Sequence, residues 1–140
     1  YLSQKEIQKT KRKFLSKRNS CMAAHNELGL LGENIAAKRL VSKGYEILER
    51  QWHCKHKEID IIARKDNILA IVEVKTRSSE HFGDTSDFIT DDKMKFLSSA
   101  SEIYAKAIGF DGEIRFDVVT VYVLGEEYKV EHLENAFIPK

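Results

Sequence analysis

Hydrophobic and polar residues recur with two different periods along the chain. Spacings of three and four residues predict helices, whereas alternation of apolar and polar residues predicts β-strands. The order of one helix, three strands, a second helix and two strands predicts an α/β fold, in which helices pack on a sheet. The predicted helices span residues 27–43 and 91–108, and the predicted strands span residues 45–52, 57–64, 68–76, 114–124 and 128–133.

Residues with known end preferences mark where these elements begin and stop. Asn26 is the predicted N-cap of the first helix and Gly44 follows its last residue, while Thr90 and Gly109 bound the second helix in the same way. A short polar turn at residues 65–67 joins the second and third strands into an antiparallel hairpin. The inner face of the second helix is predicted to consist of Met94, Leu97, Ser101, Tyr104 and Ile108.

Glu33 occupies an unusual position in the first helix. Leu31 and Ile35 interrupt the polar side of this helix, so the helix is predicted to contact neighbours on two sides. Glu33 lies in the middle of the other, apolar side. Burial of an unpaired carboxylate is strongly unfavourable, so Glu33 is a candidate for a binding or catalytic role. The apolar side contains Gly29, Leu30, Ala36, Ala37, Leu40 and Val41.

The second and third strands bring two acids together. Glu73 and Lys75 share one face of the third strand, because strand side chains alternate. Pairing across the hairpin joins positions whose numbers sum to about 132 or 133, so Asp60 is expected beside Glu73. Two carboxylates this close repel each other unless a cation lies between them. The predicted faces of the second strand are Glu58, Asp60, Ile62 and Arg64 on one side and Ile59, Ile61 and Ala63 on the other.

A magnesium or manganese ion fits this predicted pair of acids. Mg²⁺ prefers a few carboxylate oxygens together with water and substrate phosphate. Asp60 and Glu73 are the candidate ligands, the carbonyl of Val74 is a further one, and Glu33 is placed to bind a metal-held water. The ion would polarise a phosphate and lower the pKa of an attacking water, and Lys75 would stabilise the developing negative charge or orient that water. The alternative is that these charged groups at strand ends only pair with one another.

Further polar residues surround the predicted site. Thr76, Arg77 and Lys93 are expected near its mouth and suit contacts to nucleic-acid phosphates, although they also fit plain exposed surface. Arg115 and Asp117 project together from the fourth strand. They either support the site or form a salt bridge within the sheet, and the bridge is favoured because most such pairs are structural.

The aromatic and metal-binding residues outside this constellation carry weaker signals. Trp52 fits either a base-stacking role or a partly buried position at the end of a strand. His53, Cys54 and His56, with Cys21 and His25 upstream, match no standard spacing of zinc ligands.

Charge is distributed unevenly along the chain. Residues 1–20 carry seven basic residues and one acidic residue, a net of +6, whereas the whole chain carries +1. A basic arm of this kind suits contact with a polyanion, or it is a solvated tail. Two cysteines are too few for a disulfide framework, and no apolar run is long enough to span a bilayer. We therefore expect a cytoplasmic protein with no membrane contact.

Several segments resemble the YraN family of small bacterial proteins. That family is similar to archaeal Holliday-junction resolvases within the PD-(D/E)XK nuclease superfamily, which implies a restriction-endonuclease-like αβββαβ core with a mixed central sheet flanked by helices. The resemblance covers about residues 23–138 in order. The segments that carry it are residues 26–33, 44–48, 58–60, 72–77, 82–83, 93, 115–119 and 135–137.

The resemblance implies a role for each candidate residue. Asp60 matches the motif aspartate, Glu73 the second acid, Lys75 the lysine and Glu33 the helical glutamate of the resolvase-like branch. The chain departs from the pattern at two positions, since Ile59 replaces the proline of the superfamily name and Lys57 replaces a glycine of YraN-like proteins.

These observations predict a Mg²⁺-dependent nuclease acting on DNA, including branched or damaged DNA. The predicted organisation is a basic arm or helix at residues 1–22 and one nuclease-like domain at residues 23–140. Resolvase-like relatives often act as dimers, so a homodimer is an expectation by analogy. Two other functions stay open: a nucleic-acid-binding protein that keeps the nuclease fold without turnover, and a protein-interaction domain.

Overall fold

The computed structural model describes residues 21–78 and 89–138, together with residues 4 and 5. Most of the predicted basic arm therefore lies outside the described residues. The order of elements is a helix, three strands, a helix and two strands, as predicted. They are α1 (Cys21–Ser42), β1 (Glu46–Cys54), β2 (Lys57–Lys65), β3 (Ile68–Ser78), α2 (Asp91–Ile108), β4 (Glu113–Leu124) and β5 (Glu127–Leu133).

The five strands form one mixed sheet in the order β1-β2-β3-β4-β5. β3 and β4 are parallel, and every other neighbouring pair is antiparallel. The parallel pair requires a crossover connection, which contains α2. One buried cluster lies between the sheet and α1, and a second contains residues of the sheet and α2. The predicted α/β fold, with a mixed sheet flanked by helices and the αβββαβ order of a restriction-endonuclease-like core, is confirmed.

Helix α1 differs from its prediction at its start and in its buried face. It begins at Cys21, so Asn26 lies inside the helix and the predicted N-cap is wrong; Met and Ala, which precede Asn26, favour helix. Leu30 and Val41 are 47% and 38% exposed rather than buried. The small side chains of Ala36 and Ala37 allow α1 to pack close to the sheet. The buried face of α1 therefore lies between the polar side and the apolar side that the sequence predicts. It consists mainly of Leu31, Gly32, Glu33, Ile35, Ala36, Ala37 and Leu40.

Helix α2 spans the predicted residues and has both predicted caps. The Thr90 hydroxyl accepts a hydrogen bond from the backbone N–H of Lys93, and Gly109 adopts the left-handed conformation that ends the helix. The predicted inner face is wrong at Ile108, which is 43% exposed. Two small residues, Ala100 and Ala105, are buried instead, in the cluster that this helix shares with the sheet. Within the described residues, no helix is long and apolar enough to cross a membrane.

Trp52 occupies a structural position. Its ring contacts that of Tyr104 edge to face, with centroids 5.1 Å apart, and it packs against the cluster on the α2 side. The interpretation of Trp52 as a partly buried residue near the end of a strand is therefore confirmed.

Asp117 of β4 is fully buried and has four hydrogen bonds. Arg115 donates to both carboxylate oxygens at 2.8 and 2.7 Å. His132 Nε2 lies 2.8 Å from Oδ2, and the backbone N–H of Asn135 donates to Oδ1 at 3.1 Å. Burial by itself would raise the pKa of Asp117, but the hydrogen bonds from His132 and Arg115 lower it to about 2. The favoured reading of Arg115 and Asp117 as a salt bridge in the sheet is confirmed.

This network extends to the end of α1. The ammonium of Lys43 can only donate, so its 2.6 Å contact makes His132 Nδ1 an acceptor and leaves the Nε2 proton facing Asp117. Arg115 also donates to the hydroxyl of Tyr45. The network thus ties the residues after α1 to β4 and β5.

We expect Asp117→Ala to lower the free energy of unfolding by about 3–5 kcal/mol, because it leaves Arg115 buried without its partner. A folded pKa below the unfolded value of 3.8 stabilises the fold above pH 4, and this contribution is lost as the pH falls towards 2. Urea unfolding at several pH values measures both effects. An unchanged stability in the variant, or a difference between variant and wild type that is equally large at pH 2 and pH 5, would contradict this assignment.

Gly32 lets α1 approach β3 closely. A Cβ atom at position 32 would lie 1.8 Å from Thr76 Oγ1 and 2.9 Å from Thr76 Cβ. Any side chain there would therefore push the helix away from the strand. Thr76 lies in β3 beside Lys75, and Gly32 precedes Glu33, so this contact sets the distance between the two elements that carry candidate site residues.

We expect Gly32→Ala to destabilise the protein by about 1–3 kcal/mol, the usual effect of overpacking a closed interface. Gly29→Ala is the matched control, because a Cβ at Gly29 meets no atom within 4 Å. Alanine favours helix over glycine by about 1 kcal/mol, so the control should be neutral or stabilising. Thermal unfolding of the two variants makes the comparison, and equal effects would show that the contact is unimportant.

Candidate functional site

The pairing of β2 with β3 ends at the position of Asp60. Paired residues in these strands have numbers that sum to 133, as predicted, and the last pair is Ile61 with Val72. Beyond it, Asp60 Oδ2 accepts a hydrogen bond of 2.8 Å from the backbone N–H of Val74. A carboxylate therefore replaces a backbone carbonyl as the acceptor for this amide, and the two strands separate where Asp60 and Glu73 face each other.

The side chains of β1 and β2 change faces at the same point. Ile59 packs on the α2 side and Ile61 on the α1 side, so the prediction that they share a face is wrong. In β1, Arg50 pairs with Ile61 and Trp52 pairs with Ile59, so the register is kept on both sides of the change. Gln51, between these two residues of β1, has a φ of +49°. Its left-handed conformation interrupts the alternation of side chains.

Glu73 has a buried carboxylate oxygen that lacks a hydrogen-bond donor. Its Oε2 atom is buried and accepts no hydrogen bond. Among residues 21–78 and 89–138, the positive charge that contacts this oxygen is the ammonium of Lys93 in the first turn of α2, at 3.5 Å. Since a buried oxygen without a hydrogen bond is unfavourable, this atom is available to a further cation or donor.

Asp60 holds its proton far more tightly than an ordinary aspartate. Burial raises its pKa, the neighbouring Glu73 raises it further, and the combined effect moves it from 3.8 to about 7. The hydrogen bond from Val74 and the charge of Lys93 act in the opposite direction but do not compensate. The predicted proximity of the two acids is thus present together with the repulsion that it implies.

Glu33 is buried, as predicted from its position in the helix, and it is paired. Arg50 Nε donates to Oε1 at 2.9 Å, and Gln51 Nε2 donates to Oε2 at 3.1 Å. Arg50 also donates to Asn34 Oδ1 at 2.6 Å. Sequence reasoning missed Arg50 and Gln51, although a carboxylate on a buried face requires such partners. Both lie in β1, and Gln51 is the residue at which the strand changes face.

Lys75 lies half-buried beside the acids. Burial lowers the pKa of its ammonium, the guanidinium of Arg77 lowers it further, and Glu73 acts in the opposite direction. This lysine is therefore easier to deprotonate than an exposed one, and its charge is directed into a partly desolvated space.

One cavity of about 550 Å³ collects most of the candidate residues. Lys93 is not one of the residues that line the cavity, but its ammonium contacts Glu73 from α2. The sequence had not indicated the part of the cavity wall that α1 supplies through residues 28–30. The lining residues are Leu28, Gly29, Leu30, Glu33, Gln51, Asp60, Glu73, Val74, Lys75, Thr76 and Arg77.

The other candidate ligands do not assemble in this way. His53 contacts Glu58 at 3.4 Å, on the exposed part of the β1–β2 hairpin. Among residues 21–78 and 89–138, no three His, Cys, Asp or Glu side chains lie close enough together to hold a metal ion by themselves. A cation at Asp60 and Glu73 would therefore need backbone, water or substrate oxygens as well.

We expect Asp60→Asn to stabilise the metal-free protein at pH 8, by up to about 4 kcal/mol. A folded pKa near 7, above the unfolded value of 3.8, means that the stability present below pH 4 is lost as the pH rises through 7. The amide introduced at position 60 keeps an oxygen acceptor for Val74 but carries no charge. Unfolding by urea in EDTA, at pH 5 and pH 8, measures the difference.

The exposed Asp111→Asn serves as the matched control, and it should change stability little at either pH. The raised pKa of Asp60 would be contradicted if Asp60→Asn were less stable than wild type at pH 8. It would also be contradicted if the variant and wild type differed in stability by the same amount at pH 5 and pH 8.

Comparison with known proteins shows a clear family relationship. The model of the uncharacterised protein family UPF0102 matches residues 32–121. UPF0102 protein FP2501 of Flavobacterium psychrophilum is 50% identical over 116 residues, which cover 83% of this chain and 98% of the relative. UPF0102 proteins of Flavobacterium johnsoniae and Syntrophomonas wolfei are 48% and 43% identical over 120 and 114 residues, covering 83% and 81% of this chain and 98% and 99% of theirs. None of these names states an activity.

Proposed function

The chain belongs to the uncharacterised protein family UPF0102, the YraN family, and on that premise we propose that it is a Mg²⁺-dependent nuclease that hydrolyses phosphodiester bonds in DNA. The observation that carries the proposal is the meeting of Asp60 and Glu73 beside Lys75 in one cavity, with the charge of the two acids poorly compensated. A scaffold or interaction domain gives no reason to keep two repelling carboxylates together.

The residues fit a small divalent cation. Glu73 offers a buried oxygen without a hydrogen bond, and Asp60 offers the oxygen that is not occupied by Val74. Mg²⁺ commonly binds through one or two carboxylates and completes its shell with waters and substrate phosphate. Two acids with the backbone carbonyl of Val74 therefore suffice. When bound, Mg²⁺ or Mn²⁺ would supply positive charge that offsets the acids and stabilises charge developing on the phosphate.

Each remaining residue has a role in this proposal. Lys75 donates to a phosphate oxygen or orients the attacking water, because its ammonium extends into the same cavity as the acids. Arg50 and Gln51 fix the carboxylate of Glu33, which then accepts a hydrogen bond from water entering the cavity. Thr76 and Arg77, at the end of β3, bind the phosphates that flank the reacting one.

A second function is a DNA-binding protein that keeps this architecture without turnover. The favouring observation is that cations of the chain already contact two of the three acids, Arg50 at Glu33 and Lys93 at Glu73. In that case the cavity would hold a phosphate through its basic residues alone. Wild-type protein that binds DNA with no divalent metal and never cleaves it would support this alternative.

We expect wild-type protein with Mg²⁺ or Mn²⁺ to cleave at least one of four DNA substrates: duplex, flap, four-way junction or single strand. Asp60→Ala and Lys75→Ala should each lower the cleavage rate by at least about 10²-fold, because each removes a charge that acts on the reacting phosphate. Lys106→Ala, an exposed lysine of α2, is the matched control for Lys75 and should cleave at the wild-type rate.

Calorimetric titration of metal separates binding from catalysis in the same proteins. Wild type should bind Mn²⁺ and Asp60→Ala should not. Wild-type protein that cleaves none of the four substrates, or an Asp60→Ala variant as active as wild type, would reject the nuclease proposal. Circular dichroism confirms that the variants remain folded.

A further inference from the structure

Lys93 places a positive charge where the two acids meet. Its Nζ atom lies 3.5 Å from Glu73 Oε2, although it belongs to α2 and the acids belong to the hairpin. The ammonium is therefore close enough to Glu73 to act as its counterion.

The contact between Lys93 and Glu73 is a loose one. It is an ion pair without a hydrogen bond, because Glu73 Oε2 accepts none although it is buried. The Lys93 side chain is 30% exposed, so the ammonium has access to solvent. It also lies 5.9 Å from the centre of the Phe96 ring, a second contact available to a cation. Nothing in this geometry fixes the ammonium at Glu73 in the way that Arg115 is fixed at Asp117 by two short hydrogen bonds.

We propose that Lys93 is an exchangeable counterion of the site. Its ammonium neutralises Glu73 while no divalent metal is present, and it leaves Glu73 when a metal binds there and pairs with a DNA phosphate beside the site. The inference rests on the proposed function, because it requires a divalent metal at Asp60 and Glu73. It makes Lys93 a positioning residue that acts through Glu73.

This arrangement couples metal binding to DNA binding. Lys93 and the metal compete for Glu73, so each weakens the other. A DNA phosphate that pairs with Lys93 removes the competitor, and metal then binds more tightly; by thermodynamic linkage, metal tightens DNA binding to the same extent. The site would therefore take up its metal mainly when DNA is present.

The test is calorimetric titration of Mn²⁺ in the absence of DNA, with wild type, Lys93→Met and Lys57→Met. Lys57 is the matched control, because its Nζ lies 5.7 Å from the centre of the same Phe96 ring. Removal of a competing charge a few ångströms from the metal should tighten Mn²⁺ binding by Lys93→Met at least about tenfold. Lys57→Met should remain within about twofold of wild type.

A second measurement guards against loss of structure in the variant. Without metal, Lys93→Met should have a lower Tm than wild type, because Glu73 loses its counterion. Saturating Mn²⁺ should then raise its Tm by more than it raises that of wild type. Lys93→Arg keeps the charge and should behave like wild type. Damage to the fold alone would weaken metal binding, so tighter binding distinguishes a counterion from a structural residue.

The outcomes separate this inference from the nuclease proposal. Tighter Mn²⁺ binding by Lys93→Met with no DNA cleavage by any variant supports the counterion and rejects the nuclease. Cleavage by wild type with equal or weaker Mn²⁺ binding by Lys93→Met overturns the counterion and leaves the nuclease standing. Absence of Mn²⁺ binding in both proteins overturns the inference as well.

Discussion

The hydrogen bond from the Val74 amide to Asp60 is the interaction on which the candidate site depends. It takes the place of a backbone pairing, so β2 and β3 separate where an ordinary hairpin would continue. Asp60 and Glu73 therefore lie near each other, but their backbones do not form a pair in the sheet. The cavity, the raised pKa of Asp60 and the unsatisfied oxygen of Glu73 all lie at this point of separation.

The sheet contains a fully buried aspartate, Asp117, and a partly buried one, Asp60, and the two have opposite electrostatic environments. Asp117 receives hydrogen bonds from an arginine, a histidine and a backbone amide, and its pKa falls to about 2. Asp60 has one backbone donor and an acidic neighbour, and its pKa rises to about 7. Burial raises the pKa of both aspartates, and their hydrogen-bond and charged partners decide whether the net change stabilises the fold. A strained charge persists only where the surrounding structure holds it, which is typical of functional sites.

Much of the fold and part of the site could be predicted from local rules. The register of the hairpin followed from the length of its turn, and the burial of Glu33 followed from helical periodicity. The change of face at Gln51 and Asp60 could not be predicted, because alternation is a local rule and a positive φ at a glutamine depends on tertiary contacts. The pairing of Arg50 with Glu33 was missed for the same reason, since it joins a helix to the strand that changes face.

The close approach of Gly32 to Thr76 has a consequence for exchange of parts between related proteins. A helix transplanted from one relative to another carries its own residue at position 32, and the strand that receives it carries its own residue at position 76. The side chains at these two positions would occupy the same space, so the two residues must be transferred together. A hybrid that mixes them would misplace the helix relative to the strand, and with it the site residues that the two elements carry.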